Sequence, residues 1–361
     1  MEYFEKYSSN TLAGSGNQFF FENEGKQQTR SCTLYKVTNA GEYPYSFLLS
    51  NTIDSTFSDG AISHKNLVMD AWTIDRMRVG VCSQCDGESF AYPADMKQVS
   101  FCGNTKKTVN PGELFCTDPV TLNAKSGEYI CVEIVFSGDQ IPCHEESIIP
   151  SFVFQDGRWI ASKKHPFVSM VGIQRSAKKK IAFLGDSITQ GIGTPVNSYG
   201  HWNAVFANLL GKEYAYWNLG LGYGRADDAA SNGMWLFKAK QNDIVFVCYG
   251  VNDILQGYSA DTIKKNLQII VDQLHDSGVR VIMQTVPPFD YSEKDRITWE
   301  QVNAFIQYEL KNAAFVFDCV KCLAKNDSEP HMAKYGGHPD SDGCRVWAEA
   351  LFEAVADAIQ D

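Results

Sequence analysis

Apolar and polar residues alternate on two different schedules along this chain. From residue 1 to about 175, short apolar or aromatic runs such as Gln18-Phe19-Phe20-Phe21, Ser46-Phe47-Leu48-Leu49 and Tyr129 to Phe136 are separated by clusters of Gly, Asn, Asp and Pro. Repeated short strands with turn signals predict an antiparallel, jelly-roll-like β-sandwich. Helical periodicity is scarce in this half. At Ser176-Ala177-Lys178-Lys179-Lys180 the pattern changes. Beyond it, buried-strand runs are predicted at 180–184, 214–218, 244–249, 279–284 and 315–317, with helices near 199–210, 261–276, 296–312 and 343–360. In the last of these, Trp347, Leu351, Val355 and Ile359 recur every fourth residue and mark one buried face. Alternating strands and helices build a parallel sheet covered on both faces. The expected organisation is therefore a sandwich over 1–175 followed by an α/β unit over 176–361.

Composition narrows the function classes. The chain has 361 residues, and its net charge of −11 gives no electrostatic support to a nucleic-acid partner or to adhesion on anionic membranes. No apolar run reaches the roughly 20 residues of a membrane-spanning helix. Met1 to Lys6 has no signal-peptide core, so a cytoplasmic location is expected. Eleven cysteines, an odd number scattered over a long chain, do not form a disulfide framework. Cys82-x-x-Cys85 and Cys319-x-x-Cys322 have zinc-like spacing but fall in different halves without matched partners, and are read as coincidence. His64, His144 and His165 are isolated and read as structural or surface histidines. Trp72, Tyr92, Phe101 and Trp159 could line a sugar-binding face, although packing is the expected role of each.

Four stretches in the second half carry chemistry. Ile181-Ala182-Phe183-Leu184 runs into Gly185-Asp186-Ser187, which sets a serine on the turn after a buried strand. Asn218 to Gly224 is a glycine-rich turn after the next strand. Tyr249-Gly250-Val251-Asn252-Asp253 follows the third, and Gly336-Gly337-His338-Pro339-Asp340 leads into the last helix. Each alone also reads as an ordinary turn or helix cap. In a doubly wound sheet, however, all of them share the carboxyl edge where ligands bind. A serine hydroxyl is a weak nucleophile that needs a base, and imidazole titrates near working pH. Fixed donors at the developing oxyanion lower the barrier. Ser187 is thus the candidate nucleophile and His338 the candidate base. The N–H of Ser187, a glycine N–H from 220–224 and the Asn252 amide are the candidate oxyanion donors.

In these blocks, residues 181–361 resemble the SGNH hydrolase superfamily, the GDSL-type esterases. Gly185-Asp186-Ser187, the 218–224 turn, Gly250-x-Asn252-Asp253 and Gly337-His338-Pro339 stand where that family has its four blocks. The resemblance implies a flavodoxin-like three-layer fold, Ser187 as nucleophile, His338 as base, an oxyanion hole of Ser187, Gly222 and Asn252, and no metal or organic cofactor. Gly222 is the choice within its turn, with Gly220 and Gly224 as substitutes. The sequence departs from the family three residues before His338, where Tyr335 stands in place of the usual aspartate. Another group then orients the imidazole, or a Ser–His dyad operates. Asp340 is expected to cap the final helix and Glu329 is a distant candidate, while Asp186, Asp253 and Tyr335 are candidate supporting residues. A β-rich domain ahead of an SGNH domain is similar in architecture to carbohydrate esterases of family 2. That likeness implies removal of short acyl groups, acetyl above all, from a small-molecule or oligosaccharide ester. A lipase or thioesterase and a non-catalytic carbohydrate-binding protein are the alternatives.

Overall fold

The computed structural model describes residues 2–14, 16–23, 27–58, 62–144 and 146–360. Its first half is built from two antiparallel sheets. The five-stranded sheet runs Ser8–Ser9, Met170–Ile173, Gly41–Ser50, Leu114–Cys116, with Val120–Ala124 also paired to Gly41–Ser50. The seven-stranded sheet runs Arg158–Ala161, Ser151–Gln155, Thr29–Lys36, Tyr129–Ser137, Trp72–Cys82, Lys97–Val99, with Lys107–Val109 also on Trp72–Cys82. Inward-facing apolar side chains, among them Tyr45, Phe47, Trp72, Ile74, Ile130 and Phe136, fill the space between the sheets. This is the packing expected of a β-sandwich. Trp72 and Phe101 are thus core residues. Tyr92 and Trp159 stack on each other, 5.8 Å between ring centroids, in a half-buried cluster covered by the Arg30 guanidinium.

The second half is a five-stranded parallel sheet in the order Ala215–Gly220, Lys180–Gly185, Ile244–Cys248, Arg280–Gln284, Phe315–Phe317. This is the flavodoxin-like order, with the first strand between the second and the third and the reversal of winding beside it. Trp202–Leu210 and Ser341–Gln360 pack together on one face, where Trp202 and Trp347 stack at 4.9 Å. Ala260–His275 packs against Glu293–Tyr308 on the other. Trp347, Leu351, Val355 and Ile359 are all buried, as their spacing predicts. Five short helices escape the periodicity reading, among them Ala226–Ala230 and Met234–Ala239, because a turn or two is too short to show a period.

The two halves interlock. The helix Glu2–Lys6 lays Phe4 against Trp217 and Phe237, and Tyr3, Phe4 and Leu12 belong to the core of the parallel unit. The backbone carbonyl of Leu12 accepts from the Asn218 amide at 3.0 Å. From the sandwich, the hairpin Thr52–Ser58 and Ile62–Val68 reaches across as a clasp. Ser55 donates to Asp228 at 2.6 Å, Lys65 pairs with Asp227, and Asp54 forms an ion pair with Lys238 at 2.7 Å. Both side chains of that last pair are at most 1% exposed. His64 lies on this hairpin. His144 and His165 are buried, and desolvation pushes them down to about 3 and about 4. Cys82 and Cys319 donate their thiols to backbone carbonyls. All eleven cysteines are free, and no described group of three or more His, Cys, Asp or Glu side chains could hold a metal ion. No helix is long and apolar enough to cross a membrane.

Removing one partner of a buried ion pair strands the other charge, which typically costs about 3–5 kcal/mol. Lys238→Met should therefore destabilise the chain by about that amount in urea unfolding, and the double variant Asp54→Leu/Lys238→Met should recover a large part of it. Equal midpoints for Lys238→Met and wild type would show that the clasp carries no stability.

Candidate active site

Gly185, Gly220 and Cys248 stand level in the parallel register, so the turns that follow them open side by side at the carboxyl edge. The first turn ends in the one-turn helix Ser187–Gln190. Asp186 caps it, its side chain accepting from the Ile188 N–H at 2.9 Å, and Gly191 closes it at φ 117°. This helix lies so close to the strand ends that no methyl group fits beneath it. A Cβ on Gly185 would stand 2.1 Å from Thr189 Oγ1, and one on Gly220 would stand 2.1 Å from the Gln190 nitrogen. The glycines let the helix settle, and the helix presents Ser187 at the edge, 8% exposed.

His338 arrives from the opposite side, on the loop ahead of Ser341–Gln360. Asp340 accepts from the Gly343 N–H at 2.9 Å and its carbonyl from Cys344 N–H, which is the cap its position predicts. The loop is held against the turn after Ser187 at Gly193, where a Cβ would stand 2.7 Å from the His338 carbonyl. The imidazole Nε2 reaches Ser187 Oγ at 2.8 Å. Phe289 meets the ring edge to face at 5.3 Å. Burial lowers the His338 pKa, and among the described residues no carboxylate acts against that shift. The sequence-level candidates for an orienting group do not reach the ring. Tyr335 packs its side chain on Gly343 and makes no hydrogen bond with His338. Glu329 is half-exposed and bound to Lys325 and Asn326 in a surface turn.

Three candidate donors follow the strand ends. The N–H of Ser187 stands at the start of its helix, where the first N–H groups have no intrahelical partner, and finds none among the described residues. Within the glycine turn, the Gly220 N–H donates to Asn218 Oδ1 at 2.8 Å and the Gly224 N–H to the Leu221 carbonyl at 3.0 Å. The Gly222 N–H has no such partner among the described residues, which favours Gly222 over its neighbours. Asn252 donates one amide hydrogen to the Gly224 carbonyl at 2.9 Å, and among the described residues the other has no partner. Behind it Asp253 accepts from the Ala226 N–H at 2.9 Å. Burial pushes both Asp186 and Asp253 up to about 7, so these two carboxyls serve as caps at the back of the site.

Sequence reasoning passed over the residues that surround Gly222. Gln18 donates to the Gly222 carbonyl at 2.9 Å, and Gln190 donates to the Glu146 carbonyl at 2.8 Å. Gln18 and Glu146 come from the first half of the chain, and no motif marks either. Arg225, next to the turn, is 2% exposed and pairs with Asp228 at 2.5 Å. Phe289 likewise has no signal beyond its apolarity.

Residues 183–346 match the model of the GDSL-like Lipase/Acylhydrolase family. An arylesterase of Vibrio mimicus is 28% identical over 121 residues, 31% of this chain. The matched segment spans 58% of that relative's length. Among solved structures, Est24, a carbohydrate acetylesterase from Sinorhizobium meliloti, is 18% identical with a TM-score of 0.39, covering 50% of this chain and 100% of that one. A carbohydrate esterase of family 3 from Talaromyces cellulolyticus is 22% identical with a TM-score of 0.37, covering 50% and 98%. With its four blocks gathered on one sheet edge, the second half of this chain is similar to the GDSL-like lipase/acylhydrolase family over residues 183–346.

Proposed function

We propose that this protein is a serine esterase that removes short acyl groups, acetyl foremost, from carbohydrate esters. The observation that carries the reading is the 2.8 Å contact between Ser187 Oγ and His338 Nε2. Neutral imidazole takes the Ser187 proton as the oxygen attacks the ester carbonyl. The carbonyl oxygen becomes an oxyanion in reach of the Ser187 N–H, the Gly222 N–H and the Asn252 amide, each such donor being worth about 10²–10³ in rate. His338 then returns the proton to the departing alcohol. Water, deprotonated by the same imidazole, hydrolyses the acyl-enzyme. A Ser–His dyad is supported because no carboxylate among the described residues is hydrogen-bonded to His338. A short acyl group is favoured because polar groups of Glu146, Gln18 and Gln190 flank Gly222. The carbohydrate acceptor rests on the architecture of a β-sandwich ahead of the hydrolase domain.

Hydrolysis of p-nitrophenyl acetate, p-nitrophenyl octanoate and acetylated xylo- and gluco-oligosaccharides tests this reading. Turnover should favour acetate and fall by about 10³-fold or more in Ser187→Ala. Octanoate preference would move the substrate to lipids, and no serine-dependent turnover on any ester would overturn the esterase reading.

The pH profile tests the base. A buried imidazole without a carboxylate holds its proton less tightly than a free one, whose pKa is about 6.5. As pH falls, kcat/KM should therefore stay level through about 6.5 and decline only below it. A decline centred above that value would mean that an anionic group stabilises the imidazolium.

A further inference from the structure

The glycine turn of the site is a four-residue β-turn, Leu221 to Gly224, closed by the Gly224 N–H on the Leu221 carbonyl at 3.0 Å. Its third residue, Tyr223, has φ 56°. That region suits glycine or asparagine at this turn position and is costly for an aromatic residue. The cost arises because the central peptide, the carbonyl of Gly222 with the N–H of Tyr223, is turned over relative to the common turn that any residue can adopt. Something must hold it there. The Gly222 carbonyl accepts from Nε2 of Gln18, a side chain with no exposure, at 2.9 Å. Gln18 is itself fixed, its N–H donating to the Cys143 carbonyl at 2.9 Å. The open side of Gly222 is walled in as well. A Cβ there would stand 2.4 Å from Glu146 Oε2, 2.9 Å from Gln18 Nε2 and 3.1 Å from Gln190 Oε1.

We propose that Gln18, from the β-rich half of the chain, is a positioning residue for acyl transfer: its amide locks the Gly222–Tyr223 peptide and thereby fixes the oxyanion turn. The inference rests on the reading of Ser187 as nucleophile and Gly222 as an oxyanion donor. If the lock is lost, the peptide relaxes towards the unstrained turn. The carbonyl dipole then swings away from the sandwich, and the donors no longer match the transition state. Such a fault appears in kcat, since the ground-state ester needs the oxyanion donors far less than the tetrahedral intermediate does. The sandwich then takes part in catalysis through one hydrogen bond, without touching substrate.

The test uses the full chain with p-nitrophenyl acetate, and active sites are counted by covalent titration of Ser187 with a p-nitrophenyl phosphonate. Gln18→Leu should lower kcat per titrated site by about 10- to 100-fold while KM changes less than about twofold. Gln18→Glu provides the second measurement and guards against a Leu variant that fails to fold. A protonated glutamic acid can still donate to the Gly222 carbonyl, whereas an ionised one cannot, and burial raises its pKa. Its kcat should therefore decline as pH rises across a range where wild type is level. A wild-type kcat per titrated site in Gln18→Leu, or a Gln18→Glu profile parallel to wild type, overturns the positioning role. Absence of Ser187-dependent turnover in wild type itself would instead sink the esterase reading on which the inference stands.

Discussion

The site depends on a backbone contact that leaves no room for a methyl group. The helix Ser187–Gln190 rests on the ends of two parallel strands at Gly185 and Gly220, and a side chain at either would strike its backbone or Thr189. This close approach sets the height of Ser187 above the sheet and the direction of its N–H. The other parts are built relative to it. Gly193 lets the His338 loop close on the turn after Ser187, and Gly250, at φ 126°, starts the turn that carries Asn252. Glycine here serves proximity, and proximity of rigid elements is what a preorganised oxyanion site requires.

The second constraint is the joint between the halves. A β-sandwich and a doubly wound sheet each close their own core, yet Phe4, Leu12 and the 52–68 hairpin cross between them. The contacts made there are polar as well as apolar, with Asp54 to Lys238 and Ser55 to Asp228 buried under the clasp. Buried polar pairs add little net stability but penalise any arrangement that separates them. They fix the sandwich in one pose over the glycine turn, and in that pose Gln18 and Glu146 meet Gly222.

Much of this was legible in the sequence. The five parallel strands are short continuous apolar runs, and each was placed within a residue or two of its observed bounds. Trp347 to Ile359 keep helical spacing over more than three turns, so the last helix was equally plain. Ser187, Asn252 and His338 stood out because each follows a strand end or precedes a helix, where a doubly wound sheet gathers its loops. Gly222 could be separated from Gly220 and Gly224 only by hydrogen bonding, since three glycines in five residues look alike in a sequence. Gln18 and Glu146 were not legible. Their roles arise from contacts across about 200 and 75 residues, and local pattern carries no trace of such pairing. The absence of an aspartate before His338 was visible at Tyr335, whereas the failure of Glu329 to replace it followed from solvent exposure, which sequence did not reveal.

The central claim is that Ser187 is a nucleophile activated by His338 with no carboxylate behind it. Reaction with a p-nitrophenyl phosphonate followed by intact mass and peptide mapping tests it most directly. The account predicts a single adduct on Ser187 in wild type, none in Ser187→Ala, and slow labelling in His338→Ala at neutral pH. An adduct on another residue, or wild-type labelling rates in His338→Ala, would contradict it.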